Sequence, residues 1–428
     1  MSGGGSIPEV GSSGSQGQPI KAGDSFSIDA FGRWRTSEPF TVFDSKNVFD
    51  DDGLASNVEN NPLFFDNEET SGSGTSTSLR INEASQRLSV SATTAGTRVR
   101  QSLQRFNYQP GKSQEILTTF NLISLDSGIT KCVGYFDENN GIFLKADGPD
   151  LNIVRRTNTS GSPVDNSVSQ SSWNIDPMDG TGPSGITLDF TKTQIFFIDF
   201  EWLGVGRVRV GFVVDGVIYY VHNFLNANNL SIVYMSTPNL PIRWEISNDG
   251  TGSASDLDTI CCAVISEGGL NPNGRVRFSG STAACNANVA GTTYAVMGIR
   301  LKSEYIGETV EFVDYNLIEL TGSSELAWSL KLNPTVAGAF TYADETHAAV
   351  QTAFGDTANT VTGGFNIAGG FFASAFRSSG ESSAVLQNAL KLGSKIDGTV
   401  DEIVLCVTPL PGTSNTDVFG GITWRELS

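Results

Sequence analysis

A chain of 428 residues is long for one hydrophobic core, so two or three domains are expected. Only 17% of the residues are charged and 47 are glycine against 15 proline, a balance that suits turns and β-surfaces better than helix exteriors. A formal net charge of −19 argues against general nucleic-acid binding, because that field repels phosphate backbones.

Residues 1–28 read as a Gly/Ser-rich arm holding only Ile7, Val10 and Ile20 before Phe26, too little to bury a core. The start has no basic stretch and no apolar run, and no later run reaches the ~20 apolar residues that span a bilayer. A protein made in a cytoplasm, without signal peptide or membrane span, is expected. From Ser25 the chain alternates apolar and polar residues as a strand does. Phe31, Trp34, Phe40 and Phe43 fall close together here, with Arg33 and Arg35 between them. This strap either wraps onto its own core or docks on a neighbouring subunit, where aromatics and arginine are frequent anchors. These six residues are the candidate assembly contacts.

Short alternating strands are expected at 114–123, 132–136, 142–145, 151–156, 232–236, 241–247 and 258–266. The clearest local pattern lies between 195 and 222. Phe196, Ile198, Phe200 and Trp202 share one face, as do Val208, Val210 and Phe212 on the next segment. A three-residue loop, Leu203–Val205, with Gly206 free to form a bulge, brings those faces together. It also sets Glu201 opposite Arg207 and Asp199 opposite Arg209. Asp215-Gly216 is then a two-residue hairpin signal, completing a three-stranded meander.

The Gly/Asn/Pro-rich segment 268–274 marks a domain break. Strands resume at 275–279, 293–302, 308–320, 326–331 and 400–407, with short helices expected at 344–355 and 383–393. The fold class is therefore all-β: two successive antiparallel β-sandwich domains of jelly-roll or lectin-like type, 29–269 and 270–428, behind a flexible arm.

Chemistry has little to work with. The five cysteines, at 132, 261, 262, 285 and 406, form no metal-ligand spacing and read as buried thiols. The two histidines, His222 and His347, read as structural. The acidic turns at 50–53, 137–141 and 176–180 offer oxygen ligands but match no spaced calcium loop. Asp199 and Glu201 are poor acids if paired with arginines. Gly204–Arg209 lacks the third glycine of a dinucleotide loop. Trp173, Trp202, Trp244 and Tyr219 are read as core aromatics in preference to a sugar-stacking platform. No cofactor, no metal and no catalytic residue is expected.

Two stretches are recognisable in wording. One is Ile28-Asp-Ala-Phe-Gly-Arg-Trp-Arg-Thr-Ser-Glu-Pro-Phe-Thr-Val-Phe-Asp-Ser-Lys46. The other runs from Trp173-Asn-Ile-Asp-Pro-Met-Asp-Gly180 through Glu201-Trp-Leu-Gly-Val-Gly-Arg207 to Met235-Ser-Thr-Pro-Asn-Leu-Pro241. Over roughly 26–265 the chain resembles virion structural proteins of large tailed bacteriophages, many of them from marine and environmental viruses. The resemblance implies a virion location, assembly in the host cytoplasm and a lectin-like sandwich; it carries over no catalytic residue. The expected partners are copies of the chain and other virion proteins. Capsid decoration, a head fibre, or a tail, neck or baseplate role fits. The alternative is a module that recognises host-surface glycans.

Overall fold

The computed structural model describes residues 38–47, 65–271, 273–320, 325–373, 378–381, 391–413 and 415–427. Among these there is no α-helix, only single 3-10 turns at Ile81–Glu83, Gln170–Ser172 and Ser303–Tyr305. The remainder is strand and turn, as the alternation demands. Four sheets carry the fold, apart from one two-stranded ribbon, and their ladders are antiparallel.

The first sheet has eight strands. In hydrogen-bonded order they are Val217–Phe224, Val208–Val214, Gln194–Phe200, Gln114–Asn121, Ser255–Ser266, Ser85–Val90 and Thr75–Arg80, with Phe40–Lys46 added on Ser255–Ser266. The second has seven: Val164–Ser169, Asp150–Thr157, Gly141–Asp147, Ile129–Phe136, Ile242–Asn248, Gly96–Ser102 and Phe65–Gly72. One buried cluster joins them. Phe196, Ile198, Phe200, Val210 and Phe212 of the first meet Val133, Tyr135, Leu144, Trp244 and Ile246 of the second. Burying such side chains contributes roughly 1.5–3 kcal/mol each relative to exposure, which is what holds the two sheets face to face.

The meander forms in the expected register. Asp199 stands opposite Arg209, and Glu201 N–H donates to Arg207 O at 3.3 Å. Leu203 and Gly204 take positive φ, and Gly206 N–H closes the loop on Trp202 O at 2.7 Å. Asp215 and Gly216 both lie at positive φ, the geometry of a type I′ turn. One bulge is added, where Val210 faces His222 but Gly211 faces Tyr220.

The third sheet runs Arg275–Gly280, Thr416–Leu427, Thr309–Glu319 and Ser378–Glu381, with Cys285–Ala287 beside Thr416–Leu427. The fourth runs Ala343–Asp344, Val350–Phe354, Tyr294–Leu301, Glu402–Pro409, Glu325–Leu332 and Phe365–Ala373. Val310, Phe312, Leu317, Ile422 and Trp424 of the third share a second buried cluster with Val296, Ile299, Leu330 and Leu405 of the fourth.

Two expectations change. Segment 344–355 is a hairpin: Ala343 faces Thr352, Asp344 faces Gln351, and His347 takes φ 55° at the tip. Its second strand hydrogen-bonds to Met297–Leu301, and the sheet edge overrides a weak helical preference. Segment 232–236 is an irregular loop rather than a strand, tied by Tyr234 N–H to Gly204 O at 2.9 Å. The helix at 383–393 falls almost wholly outside the described residues, as do the arm at 1–28 and the strap up to Ser37.

Candidate interaction surfaces

Of the six candidate assembly contacts, Phe31, Arg33, Trp34 and Arg35 lie outside the described residues. Phe40 is exposed at the start of its strand. Phe43 is buried in the core of its own chain, with ring centroids 6.0 Å from Phe65 and 4.9 Å from Phe106.

The residues weighed for chemistry are structurally engaged. Asp199 is buried, paired with Arg209 and reached by the Tyr220 hydroxyl at 3.3 Å. Asp137 caps its turn by accepting from Asn139 N–H and Asn140 N–H at 2.7 and 2.8 Å, and pairs with Arg105 at 2.5 Å. Asp176 accepts from Met178 N–H and Ser184 N–H, both at 2.8 Å. Such bonds are ordinary Asx-turn work. His222 accepts from Asn174 N–H at 3.2 Å, and burial lowers its pKa to about 4, so it is neutral at physiological pH. Burial pushes the Cys132 and Cys262 thiols far up, which makes them poor nucleophiles. Among the described residues no group of three His, Cys, Asp or Glu is placed to hold a metal ion.

Two surfaces stand out instead. The first is the outer face of the third sheet. Arg275 and Arg277 alternate with Val276 and Phe278, and the usual rule would turn the apolar pair inward. Here they face out. Register sets Val276 beside Arg425 and Phe278 beside Thr423, while Arg277 lies opposite the buried Trp424 and reaches Glu426 at 3.7 Å. The Phe278 ring lies over Gly421 and Gly280, where a Cβ would approach it within 2.6 and 2.8 Å. Further along the same sheet Ile318 pairs with Phe419, and Leu320 N–H donates to Asp417 O just past the strand end. Phe278 is 60% exposed and Leu320 63%, with Val276 and Ile318 also open to solvent.

The second surface is a groove where the two pairs of sheets meet. Its main hollow, about 500 Å³, lies between Asn107, Tyr108, Trp202, Asn239, Tyr305 and Glu308. These come from four distant stretches of chain. The 3-10 turn at Ser303–Tyr305 and the residues after it form one wall, fixed to the other by Asn239, whose side chain donates to Gly307 O at 2.7 Å and accepts from Tyr108 N–H at 2.8 Å. Trp202 is half-buried and its indole N–H is spent on Met235 O at 3.2 Å. Tyr305 is 44% exposed. Asn107 is only 7% exposed, yet its side chain makes no hydrogen bond among the described residues. Burial, then the charge of Glu426, raises the Glu308 pKa. A neighbouring hollow of about 310 Å³ shares Ser236, Thr237, Glu304 and Gly307, and another of about 420 Å³ shares Tyr305 and Glu308. By contrast Trp173 and Trp244 are buried, so the four aromatics named above form no common platform.

No protein-family model matches the chain, and no curated protein matches it. It is similar in architecture to several solved structures, all at low identity. The carbohydrate recognition domain of Emp47p shares 11% identity, with a TM-score of 0.32 over 53% of this chain and 96% of that one. The CBM2 module of the evolved Dit of Lactobacillus casei phage J-1 shares 5%, with 0.33 over 55% and 100%. A Bacteroides ovatus GH16 protein from a mixed-linkage glucan utilisation locus shares 9%, with 0.34 over 52% and 99%. These neighbours are lectin-like and carbohydrate-related β-sandwiches; likeness this distant transfers no ligand and no activity.

Proposed function

We propose that the chain is a non-enzymatic structural component of a tailed-phage particle, made of two sandwich domains and acting through contacts with copies of itself and with other virion proteins. One observation carries this reading: the exposed apolar residues of the third sheet, Val276, Phe278 and Ile318 on its strands and Leu320 just past the end of one. A group of exposed apolar residues on a sheet face marks a surface that is covered by something else when the protein is at work. The low share of charged residues, 17%, suits subunit packing in the same way. The strap from Phe31 to Phe40 is a second contact in this reading, with Phe43 buried in the chain's own core instead, and resemblance over roughly 26–265 supplies the virion setting.

The test is association of the full chain. Light scattering and sedimentation are expected to show a defined oligomer for the native protein and a monomer for Phe278→Ser combined with Leu320→Ser, with unchanged circular dichroism. Trp34→Ala with Arg35→Ala is expected to leave the fold intact and lower incorporation into particles. A native chain that stays monomeric at high concentration, and is missing from purified particles, sinks the reading. Recognition of host-surface glycans, the competing function, draws on the groove rather than on this face.

A further inference from the structure

We propose that the groove between the two pairs of sheets binds a neutral oligosaccharide, with Trp202 and Tyr305 as stacking surfaces and Asn107 as the amide that meets its hydroxyls. The proposal is independent of the assembly reading, because it uses different residues on a different surface.

Sugars present two chemistries at once: apolar C–H faces that pack on aromatic rings, and a rim of hydroxyls that each donate and accept. A site for them combines aromatics with amides and carboxylates, in a hollow of small-ligand size. The groove holds that combination. Trp202 has its indole N–H already bound to Met235 O, so what it offers a ligand is apolar ring surface. Tyr305 stands across the junction, 44% exposed at the end of its 3-10 turn. Both line the same hollow of about 500 Å³.

Asn107 adds a polar contact to these rings. Neither polar atom of its amide is sealed from solvent, so the amide opens into the groove and is available to a ligand. Asn107 is 7% exposed, lines the groove, and its side chain makes no hydrogen bond among the described residues. A hydroxyl, both donor and acceptor, satisfies either end of it. Its neighbour Asn239 is the contrast: the same side chain, engaged at both ends in bridging Tyr108 N–H and Gly307 O, and so a strut.

Charge chooses the class of sugar. Glu304 and Glu308 line the main hollow, and Asp137, Glu138 and Asp397 line its extension. Arg105 and Arg275 sit in the side hollows, and Lys302, also in one of them, has its Nζ 6.0 Å from the Tyr305 ring centroid. With a net charge of −19 on the whole chain, an acidic polysaccharide is repelled. A neutral one accepts no such penalty and finds carboxylate acceptors for its hydroxyls. The two side hollows extend the groove beyond one ring, so a chain of sugars fits better than a monosaccharide.

Cello-, malto-, laminari- and chito-hexaose, titrated into the full chain and followed by tryptophan fluorescence and calorimetry, test this. At least one is expected to bind saturably, and an alginate hexamer is expected not to. Trp202→Ala and Tyr305→Ala should each weaken the affinity by about tenfold or more, the scale of a buried aromatic anchor. Asn107→Ala should weaken it several-fold, and Val217→Ser, on the far meander, should leave it unchanged. Circular dichroism verifies each fold, and if Trp202→Ala does not fold, the more exposed Tyr305 decides. Absence of binding by all four sugars overturns the proposal, as does native affinity in a folded Tyr305→Ala. Equal binding of the alginate overturns the neutral class.

Discussion

Both pairs of sheets place apolar residues on an outer face, and they treat them differently. On the second sheet the outer apolar residues are Cys132, Phe136, Phe143 and Val154, all buried. Arginines roof them. Arg243 lies over the Phe136 ring, 5.5 Å from its centroid, and is held by Glu138 at 2.8 Å and Glu245 at 2.7 Å. Arg156 lies over Phe143 at 5.0 Å and is held by Asp165 at 2.7 Å. The flat guanidinium shields the ring and its charge is met by the neighbouring carboxylates, so the rings are covered within the chain. On the third sheet Val276, Phe278, Ile318 and Leu320 stay open, although Arg425 stands beside Val276 on the same face. That arginine turns instead to Glu311, at 3.8 Å. An arginine was at hand in both places, and cover was built in one and omitted in the other.

The most damaging way to break this comparison is to take the roof away. Arg243 is almost fully buried, and its removal uncovers Phe136 and strands Glu245. Arg243→Ala is expected to cost about 3–5 kcal/mol, the usual penalty for breaking a buried pair, measured by urea unfolding. Phe278→Ser should cost well under that in the same experiment, because its side chain is mostly in water already. Equal losses at the two positions would mean that the exposed residues of the third sheet are ordinary surface packing. A smaller effect is expected at the meander tip. Gly216 sits at φ 78° in its two-residue turn, and Gly216→Val should cost about 1–2 kcal/mol through the left-handed backbone alone, without touching either outer face.

How far the sequence discloses all this depends on the range of the signal. The meander is legible because its information is local: period-two alternation, an Asp-Gly turn and charge pairs a few residues apart. Strands such as Phe65–Gly72 and Thr75–Arg80, mostly polar, give no such sign, since their place is set by ladders to Gly96–Ser102 and Ser85–Val90. At 344–355 local helix signals mislead, because the unpaired edge of Tyr294–Leu301 supplies more backbone bonds than one helical turn does. Alternation at 275–278 is visible, but the face it turns to the core is inverted there, which only the fold discloses. The groove is least legible of all. Asn107, Trp202, Asn239 and Tyr305 carry no common motif and meet only because two sheet pairs dock.

That docking also gives the mildest test, at a second place where the pairs touch. Asp66, 2% exposed on the edge strand Phe65–Gly72, accepts from Ile396 N–H at 3.2 Å, and so ties the second sheet to the loop before Glu402–Pro409. Glu68 follows on the same strand face. Burial, then the charges of Asp66 and Asp397, raises its pKa to about 7, with Lys395 acting the other way. In the unfolded chain a glutamate titrates near ~4.3. A carboxyl whose folded pKa is raised adds stability that is fully present below the unfolded value and is lost as pH rises through the folded one. The contribution of Glu68 should therefore fade between about pH 4.5 and 7, and its charge should strain the junction above that range. His222 works in the opposite sense, with a folded pKa of about 4, so native stability alone mixes two slopes. Glu68→Gln isolates one of them. It keeps the shape and the hydrogen-bonding capacity, removes the charge, and leaves His222 in both proteins. Urea midpoints of the two proteins should draw apart from pH 5 to about 7 and level off by pH 8, with the variant the more stable at the alkaline end. Parallel midpoints across the series would mean that Glu68 is solvated like any surface carboxylate, and that the junction holds no charge worth neutralising.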